Sequence, residues 1–160
     1  MVQDIIIGSD HRGYELKQKI KEFLREKKLF FIDVGVQSAD KPADSLPIPP
    51  IINVVKEVTD CVAGSRHMRG ILICANGIGS SIAANRFKGI RAALCCSPAV
   101  AKLAREDNDA NVLVLAGGGK EGLETPDIEI VKKTITTFIN TRALEDTRYV
   151  KRRALFDTLG

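Results

Sequence analysis

GILICANGIGSSIAANR, residues 70–86, is the stretch that decides how this chain reads. Ile71, Leu72 and Ile73 lead to Cys74, and the chain then turns through Gly77 and Gly79 into a segment of helical composition. A short apolar strand that passes into a helix through glycines is the joint of a parallel α/β sheet. The joint points unpaired N–H groups and the positive end of the helix dipole at whatever lies beside the turn, which favours a thiolate or an anionic ligand there. A plainer reading stands beside this one: free cysteine packs well in cores, and glycines also serve tight connections.

Outward from this joint, strand-like and helix-period segments alternate along the whole chain. Strands are expected near Asp4–Ile7, Phe30–Val34, Ile71–Cys74, Arg91–Cys95 and Val112–Leu115, each apolar with little alternation, as for strands covered on both faces. Helices are expected after Gly13, over Ile51–Val62, from about Gly79, over Pro98–Asp107, over Pro126–Asn140 and from Asp146 to Leu159. In the first, Leu16, Ile20, Phe23 and Leu24 form one stripe with Lys and Glu opposite. The KPADSLPIPP segment before the second helix reads as a loop, because prolines remove donors and restrict their neighbours. The fold class is therefore a doubly wound, Rossmann-like sheet of five parallel strands with helices on both faces. The chain reads as one domain, 1–160, with 141–160 a helical tail. That tail has no strand to precede it, so it is expected to pack on a partner subunit.

Composition narrows the function. The chain has 160 residues, 44% of them hydrophobic and 28% charged, with a net charge of +4. That is ordinary for a water-soluble domain, and the apolar runs are too short to span a bilayer. The opening MVQDIIIGSD shows no basic or cleavable leader pattern, so a cytoplasmic location is expected. Cys61, Cys95 and Cys96 read as core or near-core reduced thiols, and no Cys-x-x-Cys pair supports a metal. The basic residues gather in Arg148, Lys151, Arg152 and Arg153, which suits a phosphate at least as well as nucleic acid; nucleic-acid binding has no other support. A Walker A loop and a Gly-x-Gly-x-x-Gly fingerprint are both absent.

Ligands of open α/β sheets bind beyond the carboxyl ends of the strands. That rule selects the loops at Gly8–Gly13, Gly35–Pro50, Cys74–Ser80, Cys96–Pro98 and Ala116–Gly122, and the suggestive polar residues Ser9, Asp10, His11, Cys74 and Asn76 all fall on them. Two readings stay open for several of these. Asp10 either caps the helix after Gly13 or serves the site. His11 is either an anion contact or a solvated loop residue. Arg148 and Arg152, one helical turn apart, either clamp a phosphate or form a solvated basic face. His67 reads as a surface residue.

The motifs GSDHRGYELK at 8–17, GILICANGIGSSIAANRFKGIRAAL at 70–94, AREDNDANVL at 104–113 and RYVKRR at 148–153 resemble, in order and spacing, the type B ribose-5-phosphate isomerases and the related galactose-6-phosphate isomerase subunits. The resemblance implies a homodimer, or a tetramer, with active sites shared between subunits. It also implies a metal-free, cofactor-free aldose–ketose interconversion of a sugar phosphate, namely ribose 5-phosphate and ribulose 5-phosphate of the pentose phosphate pathway. Carried over by position, Cys74 moves the proton between C1 and C2 through an enediolate. The amides of Gly77, Ile78, Gly79 and Ser80 form the anion hole, Asp10 and Asn108 contact the sugar, and His11, Arg148 and Arg152 hold the phosphate.

The departures are specific. Asp107 stands where the family has a ring-opening histidine, and a carboxylate ionised at neutral pH accepts a proton more readily than it gives one. Asn76 replaces a hydroxyl residue, and Ala75 replaces the glycine between it and Cys74. The arginine that follows the fifth strand is missing from Gly117–Gly118–Gly119–Lys120, which leaves Lys120 as its replacement. The Pro-rich insert replaces an acidic loop motif, with Asp44 retaining the acid. These departures keep two alternatives in view: an isomerase of a 6-phosphorylated hexose of the galactose or allose type, and a weakly active or non-catalytic sugar-phosphate binder.

Overall fold

The computed structural model describes residues 4–40, 49–119, 122–156 and 158–159; Asp44 and Lys120 lie outside them. Five parallel strands form one sheet: β1 Asp4–Ser9, β2 Phe31–Asp33, β3 Met68–Cys74, β4 Ala92–Leu94 and β5 Val112–Ala116, in the order β2-β1-β3-β5-β4. The helices are α1 Tyr14–Glu26, α2 Pro50–Val62, α3 Ile78–Ala84, α4 Pro98–Asn108, α5 Ile128–Asn140 and α6 Thr147–Phe156. Among the described residues no helix is long and apolar enough to cross a membrane.

The period of two in a strand divides the core. Ile5, Ile7, Ile71, Ile73, Leu113 and Leu115 face one way, against Leu16 and Ile20 of α1, Ala101 of α4 and Ile135 and Phe138 of α5. Ile6, Leu72, Val112 and Val114 face the other way, against Val54, Val55 and Val58 of α2 and Ala84 of α3. Successive strands leave β1 in opposite directions, to β2 on one side and β3 on the other, so the topological switch point lies between β1 and β3.

Three expectations need correction. The edge strands β2 and β4 are only three residues long and partly exposed, because each pairs with a single neighbour; Leu94 of β4 is 38% exposed. Cys61 and Cys96 are exposed rather than core thiols: Cys61 turns outward from α2, and Cys96 lies just past the edge strand β4. Lys17, expected on the solvent face of α1, is fully buried, where its ammonium donates to Asp33 Oδ1 at 2.7 Å and to the carbonyl of Val36 at 2.8 Å.

Candidate active site

The carboxyl ends of β1 and β3 lie side by side, with Ser9 in register with Ile73. The turn after β1 is drawn onto β3, since the Asp10 N–H donates to the Ile73 carbonyl at 3.3 Å. The Asp10 carboxylate accepts the Gly13 N–H at 2.9 Å, which fixes the entry to α1 while the side chain also borders the neighbouring cleft. Asp10 thus braces the turn ahead of α1 and stands in the wall of the cavity.

After β3 the chain must reverse at once, and Gly77 does this with φ +75°, a left-handed conformation open to glycine. Asn76 locks the turn by accepting the Ile78 N–H at 3.0 Å on its side-chain oxygen. The Ile78 amide is thus occupied, whereas the N–H groups of Gly77, Gly79 and Ser80 meet no acceptor among the described residues. Unpaired donors are the ordinary condition of a helix start, and here three of them lie in the turn that follows β3.

Cys74 is 7% exposed, yet it lines a cavity of about 290 Å³ together with Asp10, Arg12, Ile51, Ile52, Ala75, Asn76, Gly79, Ser80 and Ala83. The Ser80 hydroxyl, in the same wall, is buried without a hydrogen-bond partner. A thiol, a carboxylate, a guanidinium and free main-chain donors thus meet in one half-enclosed space. A larger cavity of about 540 Å³ opens at the amino-terminal edge of the sheet, lined by Arg66, Arg69, Arg91, Asp109 and Asn111. It holds no thiol, and its carboxylate is already paired with Arg91 and Arg105.

Five of the expected site residues line the Cys74 cavity: Cys74 itself, Asp10, Asn76, Gly79 and Ser80. Gly77 and Ile78 belong to its turn, and His11 sits partly exposed on the β1–α1 turn outside the lining. Asp107, Asn108, Arg148 and Arg152 lie elsewhere. The α4 helix returns from the carboxyl to the amino edge of the sheet, so its last residues, Asp107 and Asn108, sit beside the start of β5, whereas Cys74 pairs with Ala116 at the other end. Four strand rises of about 3.3 Å make that separation roughly 13 Å along the sheet. Arg152 of α6 joins this remote group, donating to the Asp107 carbonyl at 3.1 Å and to Asn108 Oδ1 at 3.0 Å, and Arg148 stacks on Tyr149. Sequence reading missed Arg12, whose signal was its position between His11 and Gly13 on a selected loop, and missed Ile51 and Ile52 as cavity walls. Among the described residues no group of three His, Cys, Asp or Glu side chains is arranged to hold a metal ion.

A family model described as Ribose/Galactose Isomerase matches residues 5–155. The chain belongs to that family. It is a sugar-phosphate isomerase of the ribose-5-phosphate isomerase B kind, in sequence and in fold. Ribose-5-phosphate isomerase B of Escherichia coli is 41% identical over 123 residues, 77% of each chain. A crystal structure of a ribose 5-phosphate isomerase from Thermotoga maritima superposes with a TM-score of 0.84 at 35% identity, covering 99% of this chain and 100% of that one. The family is broader than one sugar: the 4-deoxy-4-sulfo-D-erythrose isomerase of a Clostridium species is 34% identical over 113 residues, 71% of this chain and 67% of that protein.

Proposed function

We propose that this isomerase interconverts ribose 5-phosphate and ribulose 5-phosphate, with the Cys74 thiolate as the base. The observation that carries the proposal is a sulfur at the floor of a cavity, beside main-chain donors left free by the Gly77 turn. The thiolate removes the C2 proton of the open-chain aldose. The electron pair forms the C1–C2 double bond, and the carbonyl oxygen becomes an enediolate oxygen held by the free amides of Gly77, Gly79 and Ser80. A proton passes from the C2 hydroxyl to the C1 oxygen, the thiol returns its proton to C1, and the C2 oxygen becomes the carbonyl of the ketose. Negative charge passes from sulfur to oxygen and back within one donor field, so its total stays nearly constant. Asn76, its oxygen engaged with Ile78, retains an NH₂ group to donate to the substrate's hydroxyls.

Phosphate binding falls to His11, Arg148 and Arg152, a sugar contact to Asn108 and ring opening to Asp107, and the last four stand too far from Cys74 to act on its cavity within one chain. A second copy that lays its Asp107–Arg152 group over the cavity supplies them, which supports a dimer with shared sites. Exposed Ile78 and Ile82 on α3, Leu94 on β4, and Val100 and Leu103 on α4 give such a dimer apolar surface to bury. The tail helix α6, which buries none of its side chains in its own chain, is available to the partner.

A second substrate is favoured by the sulfo-erythrose relative: another short sugar with an anionic tail. Initial rates on ribose 5-phosphate, a 6-phosphorylated hexose and 4-deoxy-4-sulfo-erythrose rank the candidates. Cys74→Ala is expected to lower the rate on the preferred sugar by at least about 10³-fold with thermal stability retained. Full activity in that variant removes the mechanism, and failure of the wild-type chain on all three sugars leaves the non-catalytic binder.

A further inference from the structure

We infer that Arg12 joins the groups that bind the substrate's anionic tail, a tetrahedral oxyanion such as a phosphate monoester or a sulfonate. The inference rests on the isomerase reading and names the group that orients the sugar over Cys74. Arg12 is the cationic side chain among the described residues that line the Cys74 cavity. One of its five N–H donors, on Nη1, reaches across to the Gly119 carbonyl at 2.9 Å, tying the β1–α1 turn to the turn after β5. Its other donors have no partner among the described residues.

The turn after β5 has little room for a cation of its own at Gly117 or Gly118. A Cβ at Gly117 would come within 3.0 Å of the Gly13 Cα and 3.3 Å of the Arg12 carbonyl oxygen. A Cβ at Gly118 would come within 2.8 Å of the Glu124 carbonyl oxygen, on a backbone with φ +75°. The Arg12 side chain instead takes its direction from the Gly119 carbonyl that it holds. A second observation points to a polar occupant: Ser80, 1% exposed, presents a hydroxyl without any partner in the same wall. A guanidinium suits the occupant's tail because it stays charged at all working pH values and its planar fork meets two oxygens of a phosphate or sulfonate at once. Since the tail does not change during proton transfer, this contact holds ground state and transition state alike and should appear in KM rather than in kcat.

The test compares wild type, Arg12→Gln and Arg12→Lys by steady-state kinetics on ribose 5-phosphate and by calorimetric titration of inorganic phosphate and of sulfate. Arg12→Gln is expected to raise KM and to weaken phosphate binding by about 10- to 100-fold, with kcat held within about threefold. Arg12→Lys is expected to recover part of both losses, which a purely structural tie between the two turns would not predict. Stronger binding of phosphate or of sulfate tells which oxyanion the tail carries. Unchanged phosphate affinity in Arg12→Gln, a loss confined to kcat, or a loss seen in Lys120→Gln but not in Arg12→Gln overturns the assignment. Calorimetry needs no turnover, so a wild-type chain that binds phosphate through Arg12 but does not isomerise ribose 5-phosphate refutes the substrate reading and leaves Arg12 standing.

Discussion

Cys95 shows what burial does to a thiol that has no task in the cavity. It is 2% exposed in the core, and burial, with Cys96 adding a smaller repulsion, pushes its pKa up to about 12. The folded protein therefore keeps a proton that the unfolded chain begins to release near the ordinary thiol value of 9.0. Between those values the native state binds more protons than the unfolded state. The contribution is complete below pH 9 and is lost as pH rises toward 12, at up to about 1.4 kcal/mol per pH unit. Urea unfolding of wild type and Cys95→Ala at pH 7, 9 and 10 under reducing conditions checks this, and the variant should show the shallower alkaline decline. In native alkylation followed by peptide mapping, Cys61 and Cys96 should react and Cys95 should not. The exposure of Cys61 and Cys96 was not legible in the sequence, where both look like the core thiol Cys95 until the fold turns Cys61 outward from α2 and puts β4 at an edge.

Helix α3 depends on the residue before it. Gly77 carries the left-handed backbone that turns β3 into α3, and a methyl group there would collide with the side chain of Leu94 on β4. Gly77→Ala should therefore cost at least about 1–2 kcal/mol from the backbone alone and displace the free amides beside Cys74. Gly79, one residue into the helix, has open space where its Cβ would be. Gly79→Ala should leave stability within about 1 kcal/mol of wild type or raise it slightly, since alanine favours the helix. Thermal melts of the two variants make the comparison, and equal losses would contradict the account. At this scale the elements were readable from periodicity, including α2 after the prolines and α4, to which the structure adds a Ser97 cap accepting the Val100 N–H. The buried Lys17 was not readable, because its partner Asp33 arrives from the end of β2, sixteen residues away, and only the packing of α1 on the sheet brings them together.

The whole molecule separates the candidate residues into two groups at opposite edges of one sheet. Asp10, Arg12, Cys74 and the Gly77 turn stand at the carboxyl edge by the switch point, and Asp107, Asn108 and Arg152 stand at the amino edge. Under the shared-site dimer proposed above, two individually crippled chains repair each other. Cys74→Ala and Arg152→Ala proteins, each nearly inactive alone, should regain up to about a quarter of wild-type activity when unfolded together, mixed in equal parts and refolded, since half the dimers are mixed and each carries one intact site. Sedimentation should show a particle of twice the 17.5 kDa chain mass. A monomeric mass, or a mixture no more active than its parts, would rule out sharing.

By itself, the amino-acid sequence determined what local chemistry controls: the alternation of strands and helices, the amphipathic faces, the glycine turn that exposes amides beside Cys74, and a motif set continuous enough to mark the family. Tertiary structure decided what depends on residues distant in the chain. It placed β4 at an edge and so exposed Cys96, and it buried Lys17 against Asp33. It carried Arg12 across to Gly119, a contact spanning 107 positions that no local pattern encodes. The physical reason is the same throughout: periodicity and turn chemistry act over a few residues, whereas neighbours across a sheet are chosen by strand order, which only the folded core enforces.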